Sequence, residues 1–184
     1  MVFHETRLKG AYLIELEPKV DDRGFFARTF CREEFEKHGL NPCVAQCNVS
    51  FNGRKGTLRG MHYQVPPYSE AKLIICLAGI IYDVIIDLRH DSQTYREWQA
   101  FELYARRPQI TAHSLMLYVP EGFAHGFQTL EDDTEVFYQM SAVYHPPSAR
   151  GLRWNDPAFN IQWPAAERTI SEQDQNFPNF SADS

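Results

Sequence analysis

Two histidines stand in stretches that otherwise predict buried β-structure. His62 lies in LRGMHYQ, residues 58–64, and His125 lies in VPEGFAHGF, residues 119–127. Histidine titrates closest to neutral pH and is the side chain that most often acts as a general base. Three roles are open to each ring: a core residue hydrogen-bonded to a carbonyl, a metal ligand, or a carrier of protons.

The second histidine closes a P-x-G-x-x-H pattern at residues 120–125. Proline and glycine make a tight turn, which swings the histidine back towards the interior of a barrel. In the β-barrel class called cupins, such a histidine often binds a metal together with an earlier H-x-H pair and a glutamate. This sequence contains no H-x-H, and only His62 and His125 are candidates for a site that needs three protein ligands. The ligand count therefore favours metal-free chemistry over a metal-dependent cupin.

Proton transfer without a metal needs an acid as well as a base. Tyr138, in VFYQM, offers a phenol that can protonate a carbanion, although a tyrosine at such a place is also a common core residue. Lys72 opens the apolar run AKLII, and its ammonium either snorkels to solvent or points into a barrel and stabilises an enolate oxygen. Arg23, Arg59 and Arg153 are candidates for phosphate clamps or for structural ion pairs.

The composition sets the class of protein. The chain has 184 residues, of which 43% are hydrophobic and 23% charged, so we expect residues 1–184 to form a single globular domain. A net charge of −6 argues against a nucleic-acid partner. No apolar run is long enough for a signal peptide or a membrane span, which predicts a cytoplasmic protein without membrane contact. The four cysteines lack the spacing of a zinc ribbon and are expected as free thiols.

The elements that must position these side chains are mostly strands. A helix is predicted over residues 31–38, because acidic residues come early in it, Lys37 and His38 come late, and Gly39 follows. Short apolar runs then follow without intervening amphipathic helices, which favours a sandwich or barrel over βαβ units. The clearest runs are residues 73–77, 80–88, 115–119 and 135–143, with an earlier one at 11–16.

Two segments depart from this β pattern. Residues 104–114 contain Arg106, Arg107 and Pro108 and predict a loop or a hairpin tip. From Arg150 onwards the chain combines prolines with two tryptophans, which predicts an irregular strap packed over the barrel. The stretch NFPNFSADS that follows is expected to be loosely held.

Several motifs in one order resemble the dTDP-4-dehydrorhamnose 3,5-epimerase family. The match is colinear from about residue 18 to residue 174 and comprises RGFF (23–26), Gln46 with Asn48, LRGMHYQ, the KL at 72–73, YDVIIDLR (82–89), VPEGFAHGF and RWNDP (153–157). The resemblance implies a mainly β, cupin-like double-stranded β-helix (jelly roll) with a short N-terminal helix and an irregular C-terminal strap. It also implies a homodimer that uses no cofactor and no metal and acts on nucleotide-diphosphate 4-keto sugars.

The resemblance also implies the roles of individual residues. His62 would be the base, Asp174 the carboxylate that pairs with it, and Tyr138 the acid on the opposite face of the sugar. Lys72 would support the enolate oxygen, and Asp83 is a second carboxylate candidate. The residues implied in substrate binding are Arg23, Phe25, Gln46, Asn48, Arg59, Lys72, His125 and Tyr144. Among these, Arg23 and Arg59 match diphosphate or sugar contacts, and Tyr144 matches an aromatic that stacks on the base.

The sequence departs from the family's usual pattern at several positions. It has Arg28 and Ala149 where the family commonly has acids, and Gln173 where a basic residue is common. Ile75 stands where many members carry a charge. The identity of the nucleotide base is therefore left open. A mono-epimerase of C3 or C5, a metal-dependent cupin and a non-catalytic nucleotide-sugar binder remain alternatives to the 3,5-epimerase.

Overall fold

The computed structural model describes residues 1–105 and 115–181. From residue 106 onwards, the predicted loop at 104–114 lies outside the described residues. The strands are β1 Val2–Glu5, β2 Tyr12–Glu15, β3 Lys19–Asp21, β4 Gly24–Phe26, β5 Gln46–Asn52, β6 Thr57–Gln64, β7 Lys72–Ala78, β8 Ile80–Asp87, β9 Trp98–Tyr104, β10 Leu115–Val119, β11 Phe123–Thr129, β12 Thr134–Met140, β13 Ala149–Gly151 and β14 Thr169–Ile170. The α-helices are α1 Arg32–Lys37 and α2 Glu172–Gln175.

Two antiparallel sheets make up the barrel. The first sheet has the strand order β1-β2-β10-β7-β12-β5, and the second has the order β13-β6-β11-β8-β9, with β14 added to β6 in parallel. The hairpin β3–β4 forms a separate two-stranded sheet. The predicted jelly roll is therefore confirmed.

The core of the barrel lies where the two sheets face each other. Ile74 and Val136 of the first sheet pack with Ile85 and Phe127 of the second. β8 is buried on both faces, because Val84 on its other face belongs to a second apolar cluster that the C-terminal segment covers. Burial on both faces explains why the sequence IIYDVIID is apolar almost without alternation.

The predicted helix is confirmed as α1, and it covers one end of the outer face of the first sheet. Phe35 packs there with Ile14, Leu73 and Met116. Beyond α1 the same face carries exposed apolar side chains. None of the helices in the described ranges is long and apolar enough to cross a membrane.

The strap predicted from Arg150 lies against the outer face of the second sheet. Its indole and backbone groups fasten it: Trp163 Nε1 donates to the carbonyl of Trp154 at 2.8 Å, and Trp98 Nε1 donates to the carbonyl of Phe159 at 2.8 Å. Trp163 and Phe159 are buried in the apolar cluster under the strap. The strap thus supplies the second apolar layer that β8 requires.

The expectation of a loosely held tail is wrong for residues 176–181. The backbone N–H of Phe180 donates to Asp156 Oδ2 at 2.5 Å, and the Phe180 ring packs edge-on against Phe159. The N–H of Arg153 donates to the carbonyl of Pro178 at 3.1 Å. Aromatic burial therefore outweighs the polar, proline-containing composition on which the expectation rested.

β6 and β11 approach each other closely at a pair of glycines. A Cβ atom on Gly60 would lie 2.7 Å from both Gly126 Cα and the carbonyl oxygen of His125, and Gly60 has φ +113°, where glycine is favoured. The register between the strands shifts between His125 and Phe127. This close contact places His125 directly opposite His62.

We predict that Gly60→Ala lowers the free energy of unfolding by about 3 kcal/mol, because its Cβ would collide with backbone that cannot move aside. Urea denaturation monitored by far-UV circular dichroism measures the change. Gly53→Ala is the matched control, since a Cβ there meets only a ring carbon of Phe51 at 3.6 Å. Equal denaturation midpoints for the two variants would contradict the predicted contact.

Candidate active site

A cavity of about 530 Å³ opens between the two sheets at their polar end. Eight of the predicted site residues line it: Gln46, Asn48, Arg59, His62, Lys72, His125, Tyr138 and Tyr144. They come from five strands and one loop, so no short stretch of sequence could have shown that they meet. The fold brings them to one chamber.

His62 and Asp174 form a hydrogen-bonded pair. His62 Nε2 lies 2.8 Å from Asp174 Oδ1, while Asp174 Oδ2 accepts the backbone N–H of Gly60 at 3.0 Å. Burial would raise the pKa of Asp174, but the hydrogen bond and charge of His62 and the Gly60 N–H outweigh it and hold that pKa below its ordinary value. An ionised carboxylate favours the tautomer with hydrogen on Nε2, which leaves Nδ1 to accept a proton.

Helix α2 delivers Asp174 to this pair. The helix begins after Ser171, whose Oγ accepts the N–H of Asp174 at 3.1 Å, as an N-cap does. Asp174 is buried, whereas 45% of the His62 side chain is exposed. The carboxylate therefore holds the ring from behind, and the ring faces the cavity. This is the arrangement expected of a general base.

A second histidine–carboxylate pair lies deeper in the barrel. His125 Nε2 is 2.9 Å from Asp83 Oδ2, and both side chains are almost fully buried. Burial raises the pKa of Asp83 above its ordinary value, although His125 and the charge of Lys72 oppose the shift. The carboxylate that the resemblance supported less is thus the partner of His125 and not of His62.

Tyr138 stands on the other sheet. Its ring packs against Phe127 and His125 across the barrel, and its hydroxyl lies 3.0 Å from Ser50 Oγ. Burial raises the pKa of Tyr138 well above its ordinary value, against the opposing hydrogen bond of Ser50. The phenol therefore keeps its proton at neutral pH. Tyr138 thus fills both roles considered for it: its ring packs in the core, and it also lines the cavity.

Lys72 points into the cavity and does not snorkel to solvent. Its side chain is 7% exposed, and its Nζ lies 3.2 Å from the carbonyl oxygen of His62 and 3.2 Å from Glu70 Oε1. Glu70 also accepts a hydrogen bond from Gln64 Nε2 at 2.9 Å. A buried ammonium requires such a counter-charge, and the pairing explains how a cation is kept beside the base.

The rim of the cavity carries the residues predicted to bind the nucleotide. Gln46 Oε1 accepts the N–H of Tyr144 at 2.8 Å, and 60% of Tyr144 is exposed. Arg59 Nε donates to Asn52 Oδ1 at 2.8 Å, which orients the guanidinium along the cavity wall. Arg153, the third clamp candidate, instead donates to the carbonyl of Phe177 at 3.1 Å and fastens the strap.

Arg23 and Phe25 lie outside the cavity of their own chain. They belong to the β3–β4 hairpin, where the Arg23 guanidinium pairs with Asp21 and 90% of its side chain is exposed. Phe25 is also exposed. Neither residue is among the described residues that line the cavity. Their contribution to substrate binding stays a prediction.

Sequence reasoning missed three residues of the site. Ser50 and Glu70 each contact a candidate catalytic group, and Phe177 lines the cavity with its ring centroid 5.7 Å from that of His62. A Cβ on Gly151 would lie 2.3 Å from the Phe177 ring, so the glycine makes room for it. For Glu70, the sequence signal was its position two residues before Lys72. Ser50 and Phe177 had no such signal.

Within residues 1–105 and 115–181, no group of three or more His, Cys, Asp or Glu side chains could hold a metal ion. The two histidines of the cavity are each bonded to a carboxylate. Metal-free chemistry remains a prediction that elemental analysis has to test.

Comparison with known proteins places this geometry in a family. Residues 5–182 match the family of dTDP-4-dehydrorhamnose 3,5-epimerase. A protein of that name from Sinorhizobium fredii is 36% identical over 181 residues, which cover 98% of this chain and 90% of the relative.

Two solved structures have the same fold. The dTDP-4-dehydrorhamnose 3,5-epimerase of Bacillus anthracis, with TDP and pyrophosphate bound, has a TM-score of 0.90 and 37% identity and covers 97% of this chain and 99% of that one. An epimerase from Legionella pneumophila in complex with dTDP-4-keto-L-rhamnose has a TM-score of 0.87 and 30% identity and covers 97% and 92%. The chain therefore belongs to the dTDP-4-dehydrorhamnose 3,5-epimerase family and is an isomerase that acts on carbohydrate.

Proposed function

We propose that this protein epimerises C3 and C5 of a nucleotide-linked 4-keto-6-deoxyhexose, converting dTDP-4-dehydro-6-deoxy-D-glucose to dTDP-4-dehydro-L-rhamnose. His62, with Asp174 of α2 hydrogen-bonded to it, lies on one sheet, and Tyr138 lies on the facing sheet. The proposal rests on this placement, in which His62 and Tyr138 line one cavity. Inversion of a carbon centre requires a base and an acid on opposite faces of the sugar. The barrel supplies one on each wall.

The C4 ketone makes the hydrogens on C3 and C5 acidic. His62 removes one of them, with Asp174 stabilising the imidazolium that forms, and leaves an enolate on the sugar. Tyr138 then donates its phenolic proton to the same carbon from the other face. The configuration is inverted, and both steps are proton transfers that leave the redox state of the sugar unchanged.

Lys72 stabilises the negative charge that develops on the enolate oxygen. Its ammonium is held at the cavity wall by the carbonyl of His62 and by Glu70, so it is in place before the reaction begins. A preoriented charge in a site that excludes water acts more strongly than the same charge in solvent. His125 lines the same cavity, with its ring centroid 6.4 Å from that of Tyr138.

The rim residues fit a nucleoside diphosphate. Arg59 offers a guanidinium to the phosphates, and the exposed ring of Tyr144 offers a face on which a base can stack. The bound TDP of the Bacillus anthracis relative supports a thymidine nucleotide. Stacking discriminates poorly between bases, so Tyr144 alone does not select the base, and the rim of this chain also includes Ala149, Arg150 and Gln173. We propose dTDP as the preferred carrier because the relative binds TDP.

We further propose that the protein is a homodimer. The outer face of the first sheet exposes Val49, Phe51 and Leu77, with exposed fractions of 59%, 58% and 49%. These side chains form an apolar patch beyond α1 that a second copy of the same sheet would cover. Such a partner could also place its β3–β4 hairpin, with Arg23 and Phe25, at the neighbouring cavity.

In deuterated water, we predict that chelator-treated protein adds two deuterium atoms to dTDP-4-dehydro-6-deoxy-D-glucose, because each inverted carbon receives a solvent-derived proton. His62→Ala should slow the uptake about 100-fold or more. Tyr138→Phe should keep exchange on the His62 face but lose inversion. Mass spectrometry gives the uptake, and NMR gives the configuration.

One deuterium per product would instead identify a mono-epimerase. Uptake that depends on added iron, zinc or manganese would favour a metal-dependent cupin. Tight binding of the nucleotide sugar without any uptake would indicate a non-catalytic binder. Undiminished exchange in His62→Ala would refute the assignment of the base.

We predict that Asp174→Asn lowers kcat about 100-fold with little change in KM, because asparagine lacks the charge that stabilises the imidazolium. The pKa of Asp174 is lowered in the folded protein, so the stability that its charge contributes is present at neutral pH and is lost as the pH falls through that lowered pKa. The difference in unfolding free energy between wild type and variant should therefore shrink in acid. Steady-state kinetics and urea denaturation at several pH values measure both effects.

Glu172→Gln is the control for this variant, since it removes a carboxylate from an exposed position on the same short helix. It should behave as wild type. A fall in kcat of equal size in both variants would mean that α2 is merely destabilised.

We predict that Val49→Glu combined with Phe51→Glu converts a dimer into a monomer, because two carboxylates would replace the exposed centre of the apolar patch. Sedimentation at micromolar concentration tests this, with Gln162→Glu on the strap as a control for added charge. If the partner's hairpin completes the cavity, KM should rise in the monomer. A monomeric wild-type protein would refute the proposal.

A further inference from the structure

The phenol of Tyr138 has a hydrogen-bond partner, Ser50, that the proposed mechanism does not use. Its hydroxyl lies 3.0 Å from Ser50 Oγ, and either oxygen can be the donor. Ser50 lies on β5, which pairs with β12 on one side and is the edge strand of the first sheet. The serine hydroxyl therefore lies in the cavity wall, between the Tyr138 phenol and Asn52 Nδ2.

The direction of this hydrogen bond can reverse. A serine hydroxyl has one hydrogen to donate and two acceptor positions. Asn52 Nδ2 approaches Ser50 Oγ at 3.4 Å from a position fixed by Arg59, which donates to Asn52 Oδ1 at 2.8 Å. A donor on that side occupies one acceptor position of the serine oxygen, which leaves the second acceptor position and the hydrogen available to the phenol. Ser50 can thus accept from Tyr138 when it is a phenol and donate to it when it is a phenolate.

Epimerisation at two carbons creates a need for this reversal. After the first inversion, Tyr138 has lost its proton and His62 has gained one. His62 is 45% exposed on its side chain and can return its proton to water. Tyr138 is partly buried against the barrel core, and a sugar in the cavity would lie in front of its hydroxyl. The phenolate needs another route for a proton before a second carbon can be inverted.

We propose that Ser50 is a positioning residue that relays a solvent proton to Tyr138 between the two inversions, an inference that rests on the proposed function. The serine O–H donates its proton to the phenolate oxygen while the serine oxygen takes a proton from a water molecule in the cavity, and the hydroxide that remains is neutralised by the proton that His62 releases. One proton enters through Ser50 as one leaves through His62, so charge and protons balance over each inversion.

The position of Ser50 is compatible with the proposed dimer. Side chains alternate along β5, so Ser50 lies on the cavity face, whereas the exposed Phe51 next to it points to the outer face. A partner that covers the outer patch leaves the serine hydroxyl within the cavity wall. Relay and assembly can therefore be tested separately.

The test is Ser50→Ala against Ser50→Thr, with products of single-turnover reactions in deuterated water resolved by NMR into singly and doubly inverted sugars. We expect Ser50→Ala to raise the ratio of singly to doubly inverted product about tenfold or more, since the first inversion uses the proton that Tyr138 already holds. KM should stay within about twofold of wild type. Ser50→Thr keeps a hydroxyl on a strand that tolerates β-branching and should restore the ratio.

The outcomes separate the relay from the function on which it rests. Two deuterium atoms in the wild-type product together with an unchanged ratio in Ser50→Ala would overturn the relay alone. A change confined to KM would also overturn it and would make Ser50 a substrate contact. A wild-type protein that adds one deuterium, or none, would overturn the two-carbon function and the relay with it.

Discussion

The contact between β6 and β11 is the constraint on which the site depends. Because Gly60 and Gly126 carry no side chains, the two backbones approach closely, and His62 and His125 come to lie opposite each other. The same stretch of β6 offers the Gly60 N–H to Asp174, so the carboxylate that orients His62 is itself oriented by the strand that carries His62. The backbone geometry at Gly60 and Gly126 and the hydrogen bonding of His62, the proposed base, are therefore fixed by one set of contacts.

The barrel is divided into an apolar end and a polar end, and the division has an energetic reason. The apolar end stabilises the fold, with Ile74, Ile85 and Phe127 packed between the sheets. At the polar end, three buried charged side chains are paired: Asp83 with His125, Asp174 with His62 and Lys72 with Glu70. Removal of one partner would leave an uncompensated charge away from water, which is far more destabilising than loss of the whole pair. The requirement for pairing thus gives the catalytic groups fixed positions.

Much of this fold was predictable from local pattern, because strand length, turn residues and helix caps are read from neighbouring residues. β8, β10 and α1 follow their sequence signals closely. The predicted site was identified through ordered motifs, and the fold brings eight of its members into one cavity. The pattern of neighbouring residues cannot predict the direction of a side chain at a strand end, such as Lys72. It also cannot predict contacts between segments that are distant in the sequence, such as those of Ser50 and Phe177. The tail was mispredicted because its two phenylalanines find partners in distant parts of the fold, Phe177 at His62 of β6 and Phe180 at Phe159 of the strap.

The position of Asp174 in chain order has a consequence for the life of the protein. A chain grows from its N-terminus, and β1 to β14 all precede α2. During synthesis the sheets can therefore assemble, and the cavity can take shape, before the residue that orients His62 has left the ribosome. A nascent chain at that stage would have most of the polar lining of the chamber, but His62, the proposed base, would lack its carboxylate partner. The pair forms when α2 docks against β6.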